Sequence, residues 1–194
     1  DLVGEDKIIS VSQKPLNFGD NVCVGEIGES VYNLYSQVLI GAKRVKTKYM
    51  VCAEDDFLYN ESHYDIIPSA EGTFCYNSNR WTLDRSGYYF FRERTSFGTC
   101  VAFTGDMIRV LEGRFAACTA DNPSVRYFSE PGKYEGHFGI RRPPLERVYS
   151  KEPIITFNHT SGLGSRRRVN TTDTVVKDLP PWGDAKELWR RFWK

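Results

Sequence analysis

No run of about 18 apolar residues occurs anywhere in the chain, so no segment reads as a membrane-spanning helix. The opening residues DLVGEDKIIS lack the basic and apolar regions of a secretory signal. They also lack an initiator Met, which suggests a trimmed chain or a piece of something longer. None of the five cysteines, at 23, 52, 75, 100 and 118, forms a C-x-x-C pair, and their number is odd. A disulfide framework is therefore not expected; free, mostly buried thiols in a reducing compartment are. There is no internal repeat and no low-complexity tract. The absence of a G-x-x-x-x-G-K-[ST] loop excludes one large group of phosphotransferases, and without a Gly-rich phosphate loop after the first strand a sugar nucleotidyltransferase is not expected. The expected location is the cytoplasm, or the host cytoplasm if the chain is viral. The N-x-S/T triplets at Asn60, Asn158 and Asn170 would matter only in the secretory-pathway lumen, the less favoured alternative.

What is present is an ordinary globular composition: 194 residues, 40% hydrophobic and 26% charged, enough for one domain with a sizeable core. Net charge is only +1 but unevenly spread, since residues 1–130 carry 13 basic and 18 acidic side chains and residues 131–194 carry 13 and 7. The basic end suits a phosphate-bearing partner, or is a solvated surface of mixed charge.

Periodicity places a short strand at residues 8–12, IISVS, and a Gly-rich loop over 17–30. Val31, Leu34, Tyr35, Val38, Ala42 and Val45 fall at helical spacing, with Lys43 and Arg44 placed to suit the helix dipole. The run 49–53 reads as a strand buried on both faces of a sheet, and the order strand, helix, strand implies a right-handed crossover with parallel pairing. Further on, TFCYN, RWTL, GYYFFR and GTCVAF read as short aromatic-rich strands in an antiparallel or mixed region. A helix capped by Thr104 is expected to stop at Gly113, and residues 120–136 read as loop. Ile154 to Phe157 makes another strand. After Pro180-Pro181 a helix presents Trp182, Leu188, Trp189, Phe192 and Trp193, a face expected to dock on the protein body rather than to await a partner.

The chemistry gathers at Glu54-Asp55-Asp56, directly after the apolar run 49–53. Adjacent carboxylates repel, and a hard divalent cation such as Mg²⁺ or Mn²⁺ relieves the conflict while leaving positions open for substrate phosphates. The plain alternative is an exposed acidic turn. In extended chain Glu54 and Asp56 point to one side and Asp55 to the other, and ligands of open α/β sheets sit at such strand ends.

A helix, an apolar strand and then E-D-D resembles the nucleotide-sugar half of GT-A-fold glycosyltransferases, whose D-x-D motif ends a central strand and holds a metal on the sugar-nucleotide diphosphate. SFGTCVAFTGDMIRVLEGRF, residues 96–115, is similar to that family's acceptor-side segment, and KYEGHFGIRR places Glu135 six residues before Arg141 as in its inverting, family-two-like members. FNHTSGLGSRRR resembles the late metal-ligand loop of several members.

The resemblance implies an α/β, Rossmann-like fold with a mixed, mostly parallel central sheet flanked by helices, reduced at the N-terminus. It implies a single domain over residues 1–194, with a nucleotide-sugar and metal half at 8–60, an acceptor half at 61–153 and a closing loop and helix at 154–194. By the same resemblance Asp56 and His159 are metal ligands for Mn²⁺ or Mg²⁺. Glu54, Asp55, Arg166, Arg167 and Arg168 meet the nucleoside-diphosphate sugar, and Glu135 is the base that activates the acceptor hydroxyl, with Glu130 and Asp121 as substitutes. The acceptor is a glycan or a hydroxymethylated base in DNA. Trp81, Tyr88 and Tyr89 suit stacking on a ligand, or membership of the core. Two other readings stay open: a non-catalytic module of the same fold that binds sugar, nucleic acid or protein, and a metal-dependent phosphotransferase or nuclease.

Overall fold

A computed structural model describes residues 3–158 and 173–192. In chain order the strands are β1 (Ile9–Ser12), β2 (Asp20–Cys23), β3 (Tyr49–Val51), β4 (Phe57–Leu58), β5 (Phe74–Asn77), β6 (Arg80–Asp84) and β7 (Tyr88–Phe91). They continue with β8 (Cys100–Phe103), β9 (Leu145–Val148), β10 (Ile154–Asn158), β11 (Thr174–Val176), β12 (Asp178–Leu179) and β13 (Gly183–Asp184). The α-helices among the described residues are α1 (Val31–Arg44), α2 (Glu61–Tyr64), α3 (Thr104–Ala117) and α4 (Ala185–Phe192). The class is mixed α/β, with parallel and antiparallel pairs distributed over several sheets rather than one mostly parallel sheet. Among the described residues no helix is long and apolar enough to cross a membrane. The chain divides into two compact units, one of Asp1–Val51, Ile67–Cys75 and Val101–Glu146, the other of Cys52–Ile66, Tyr76–Cys100 and Arg147–Lys194.

In the first unit β1 lies parallel to β2, with Ile9 opposite Asp20 and Ser12 opposite Cys23. Residues 17–30 therefore contain a strand that the Gly-rich composition conceals. Ser30 caps α1, its hydroxyl accepting from Asn33 N–H at 3.0 Å, and Tyr35 and Ala42 bury the expected face. The expected parallel pairing of the strands before and after this helix does not occur. β3 runs antiparallel to β8, Tyr49 opposite Phe103 and Val51 opposite Val101, and ends the order β3-β8-β5-β9. As an edge strand it is partly exposed at all three positions, whereas β8 is buried at all four. An apolar run marks burial without saying whether a strand is central or which strand lies beside it.

Helix α3 supplies Met107, Val110, Leu111 and Arg114 to the core of this unit. Two local signals misplace its ends. Thr104 sits inside the first turn and donates its hydroxyl to Thr47 C=O at 2.8 Å instead of capping. The helix also runs past Gly113 to Ala117. A Cβ at Gly113 would lie 2.7 Å from Cδ1 of Ile140, so this glycine admits a neighbouring side chain rather than ending the helix.

The second unit is built on the order β11-β7-β6-β10-β4, in which only β6 and β10 are parallel. Leu83, Tyr89, Ile155, Phe157 and Leu179 form its core, and α4 docks there through Ala185 and Leu188, as its apolar face predicts. Trp189 lies against Phe157 with ring centroids 5.8 Å apart, and Trp182 Nε1–H donates to Pro153 C=O at 2.7 Å. Trp193 lies outside the described residues.

Candidate functional site

The acidic triplet belongs to the second unit, in the turn that leads into β4. Cys52 N–H donates to Cys100 C=O at 2.9 Å, after which the chain leaves the ladder. Glu54 and Asp56 are half-buried and Asp55 is exposed. The alternation expected of extended chain thus persists in exposure although the stretch is a turn.

A closed set of bonds fixes Glu54. Its Oε2 accepts from Gly98 N–H at 3.0 Å, its own N–H donates to Tyr59 Oη at 3.0 Å, and Tyr59 O–H donates to Gly98 C=O at 2.9 Å. Burial pushes the Tyr59 phenol well above its ordinary pKa, so the hydroxyl stays a donor. Gly98 is needed for this approach: a Cβ there would lie 2.6 Å from Glu54 Oε2 and 3.1 Å from Tyr59 Oη. One oxygen of Glu54 is thereby engaged by the backbone.

Asp56 is tied through its main chain. Its carbonyl accepts from Phe157 N–H at 2.9 Å, and β4 runs antiparallel to β10 with Thr156 opposite Phe57 and Ile155 opposite Leu58. The acidic turn is thus anchored near the end of β10, the strand after which the sequence continues to His159. His159, Arg166, Arg167 and Arg168 lie outside the described residues.

Sequence reasoning overlooked His63, which the fold buries completely in the same unit. Its ring stacks on Tyr59 at 5.1 Å, and its Nδ1 lies 3.2 Å from Nδ2 of Asn77, which also donates to Ser150 Oγ at 2.8 Å. With Asn77 donating, the proton of the neutral imidazole belongs on Nε2, which is buried without a hydrogen-bond partner among the described residues. Burial lowers the His63 pKa to about 4, so the ring is neutral at physiological pH. The only sequence signal was the cap of α2, where Asn60 Oδ1 accepts from His63 N–H at 3.2 Å.

The same Asn60 is unsuited to glycosylation. It is buried, and the nitrogen that would carry a glycan donates to Glu152 C=O at 3.0 Å and Pro153 C=O at 2.8 Å. Asn158 Nδ2 donates to Asp84 at 2.9 Å, and Asn170 lies outside the described residues. All five cysteines are free, with Cys23 exposed and the others buried, as expected. Of the candidate stacking aromatics, Tyr89 is core, Trp81 packs on Phe91 at 5.3 Å, and Tyr88 lies beneath Lys177 Nζ at 5.6 Å.

Glu135 belongs to the first unit, where it is fully buried and ion-paired with an equally buried Arg114. The Arg114 guanidinium stands 5.6 Å from the Phe138 ring, 5.7 Å from Tyr35 and 5.9 Å from Phe128, and Nη1 donates to Ser129 C=O at 2.6 Å. In this structure the carboxylate is closed off from solvent and paired with Arg114, its Oε2 buried without a hydrogen-bond partner among the described residues. The substitutes are weak bases. Burial acts to raise the Glu130 pKa, but hydrogen bonds from Lys133 and Ser129 outweigh it and lower the value. Asp121 is lowered by the Thr119 hydroxyl. Arg141 is exposed.

For a divalent cation the triplet offers oxygen donors of the right hardness. Among the described residues, however, no group of three or more His, Cys, Asp or Glu side chains is arranged to hold one. By itself the triplet is at most a partial ligand set. No family model matches the chain, and no curated protein or solved structure matches it either.

Proposed function

We propose that the chain binds a nucleoside-diphosphate sugar with Mn²⁺ or Mg²⁺ at the acidic turn and transfers the sugar to an acceptor hydroxyl, in the manner of GT-A glycosyltransferases. The observation that carries this reading is the bond from Phe157 N–H to the Asp56 carbonyl, 2.9 Å long. It ties the main chain of the acidic turn to the strand that runs on in sequence to His159 and Arg166–Arg168.

The cation, when bound, supplies charge neutralisation for the departing diphosphate. The chain's own residues bind and orient. The Asp56 carboxylate holds the ion; Glu54, braced by Gly98 and Tyr59, faces the ribose or the ion's water shell; the arginines meet phosphate oxygens. Glu135 is left out of this reading, and with it the argument for inversion at the anomeric carbon.

A second reading is favoured by two of the same observations. Glu54 gives one oxygen to Gly98, and the expected base is enclosed with Arg114. A module that binds a sugar nucleotide without turning it over needs neither group free.

Thermal unfolding of the full chain with a panel of nucleoside-diphosphate sugars, with and without Mn²⁺, decides the matter. A donor at a hundred times its Kd should stabilise the protein by about 2.7 kcal/mol, only with the metal, and Asp56→Asn should abolish the shift while leaving the ligand-free transition in place. No shift with any donor, or an unchanged shift in Asp56→Asn, would overturn the site. Stabilisation without transfer or hydrolysis of the sugar nucleotide would establish the second reading, and metal-dependent cleavage of nucleic acid would replace both.

A further inference from the structure

In the first unit, residues 123–142 carry an aromatic and cationic surface that the donor site does not use. Tyr127 and His137 stack with ring centroids 3.6 Å apart and planes within 9°. Tyr134, 40% exposed, leans on both, at 5.8 Å and 6.0 Å. Arg126 sits over the Tyr127 ring at 4.8 Å and donates from Nη2 to its hydroxyl at 3.0 Å.

The platform is stiffly mounted. Phe128 and Phe138, in the same short stretches, are buried against Arg114, and Gly139 turns the chain at φ 68°. Its charge is one-sided. The carboxylates of this stretch are already neutralised, Glu130 by Lys133 and Glu135 by Arg114. Arg126, Arg141 and Arg142 are exposed, and no ion pair engages any of them among the described residues. Arg142 Nε–H donates to Gly132 C=O at 2.7 Å, which leaves its terminal nitrogens for an anion.

We propose that this surface binds single-stranded nucleic acid, a base stacking on the Tyr134 and His137 edge of the platform while Arg126, Arg141 and Arg142 contact the backbone phosphates. Exposed aromatic rings beside unneutralised guanidinium groups are the chemistry that recognises unpaired bases on a polyanion. A neutral sugar would use the rings but leave the cations without a purpose. The inference requires nothing of the metal site.

The test is fluorescence anisotropy of a labelled 20-nucleotide oligothymidylate with the full chain over a series of salt concentrations. Binding should weaken with salt, and Arg126→Gln with Arg141→Gln should flatten the log–log slope by about 1.4, near 0.7 for each lost phosphate contact. Tyr134→Ala should weaken binding on the order of tenfold, with Tyr134→Phe close to wild type. Absence of binding at low salt would overturn the proposal. So would tighter binding of duplex than of single strand, equal competition by a neutral oligosaccharide, or indifference to Tyr134→Ala and the arginine pair. None of these outcomes bears on stabilisation by a sugar nucleotide, which is read separately through Asp56.

Discussion

Glu135 and Arg114 show how one residue's burial redirects its chemistry. A carboxylate six positions before an arginine reads, by the family resemblance, as a base; in the structure it is buried and paired with Arg114, whose guanidinium lies against three aromatic rings. Glu135→Gln should therefore destabilise the protein by about 3–5 kcal/mol, because it strands a buried cation. Urea unfolding measures this, and a stable but inactive variant would restore the catalytic role. His63 provides a pH test. Its pKa falls from 6.5 to about 4 on folding, so its contribution is complete above pH 6.5 and is lost as the pH drops towards 4, where only the unfolded chain takes up the proton. The loss amounts to roughly 3 kcal/mol, and His63→Phe should remove that part of the slope in acid denaturation between those limits. At Gly98, alanine would displace the Glu54 carboxylate from its backbone donor. Gly98→Ala is expected to weaken metal-dependent donor binding about tenfold or more, since a charge-assisted hydrogen bond contributes about 1.5–3 kcal/mol, as calorimetry would show.

At the scale of elements, α1 and α4 were legible because each carries an apolar stripe with the period of a helix. Leu188, Trp182 and Trp189 take the docking positions that the pattern assigns, whereas Phe192 stays 47% exposed and Ala185, which the pattern did not name, joins the core. Leu188→Ala should cost about 2–5 kcal/mol as a core truncation, whereas Ser30→Ala, which removes only the α1 cap, should cost about 1 kcal/mol; paired denaturant titrations would rank them. β2 was hidden because its residues, DNVC, are exposed at both ends and only half-buried between, and carry little apolar signal. β3 was visible as a strand and misjudged as central. Its neighbours are set by β8, about fifty residues on, and no local pattern contains that information.

For the whole molecule, the cysteines report on both units at once. A thiol reagent should label about one residue, Cys23, in the folded chain and all five after denaturation, since the other four are buried and none is in a disulfide. Rapid native labelling of two or more would indicate that a core opens more readily than this packing implies. Each unit is assembled from three separated segments, so the acidic turn and Glu135 belong to different cores despite being read as parts of one linear motif series.

The sequence by itself determined the mixed α/β class, most strand and helix locations, the free thiols and the docking face of α4, because each follows from composition or from a period shorter than one element. Tertiary structure alone decided that β1 pairs with β2 and β3 with β8, that Gly98 braces Glu54, and that Phe157 holds Asp56 beside the end of β10. It also decided that Glu135 is spent on Arg114. These are contacts across long stretches of chain, and burial, which sets whether a carboxylate is a ligand, a base or a counter-ion, exists only once those stretches have met.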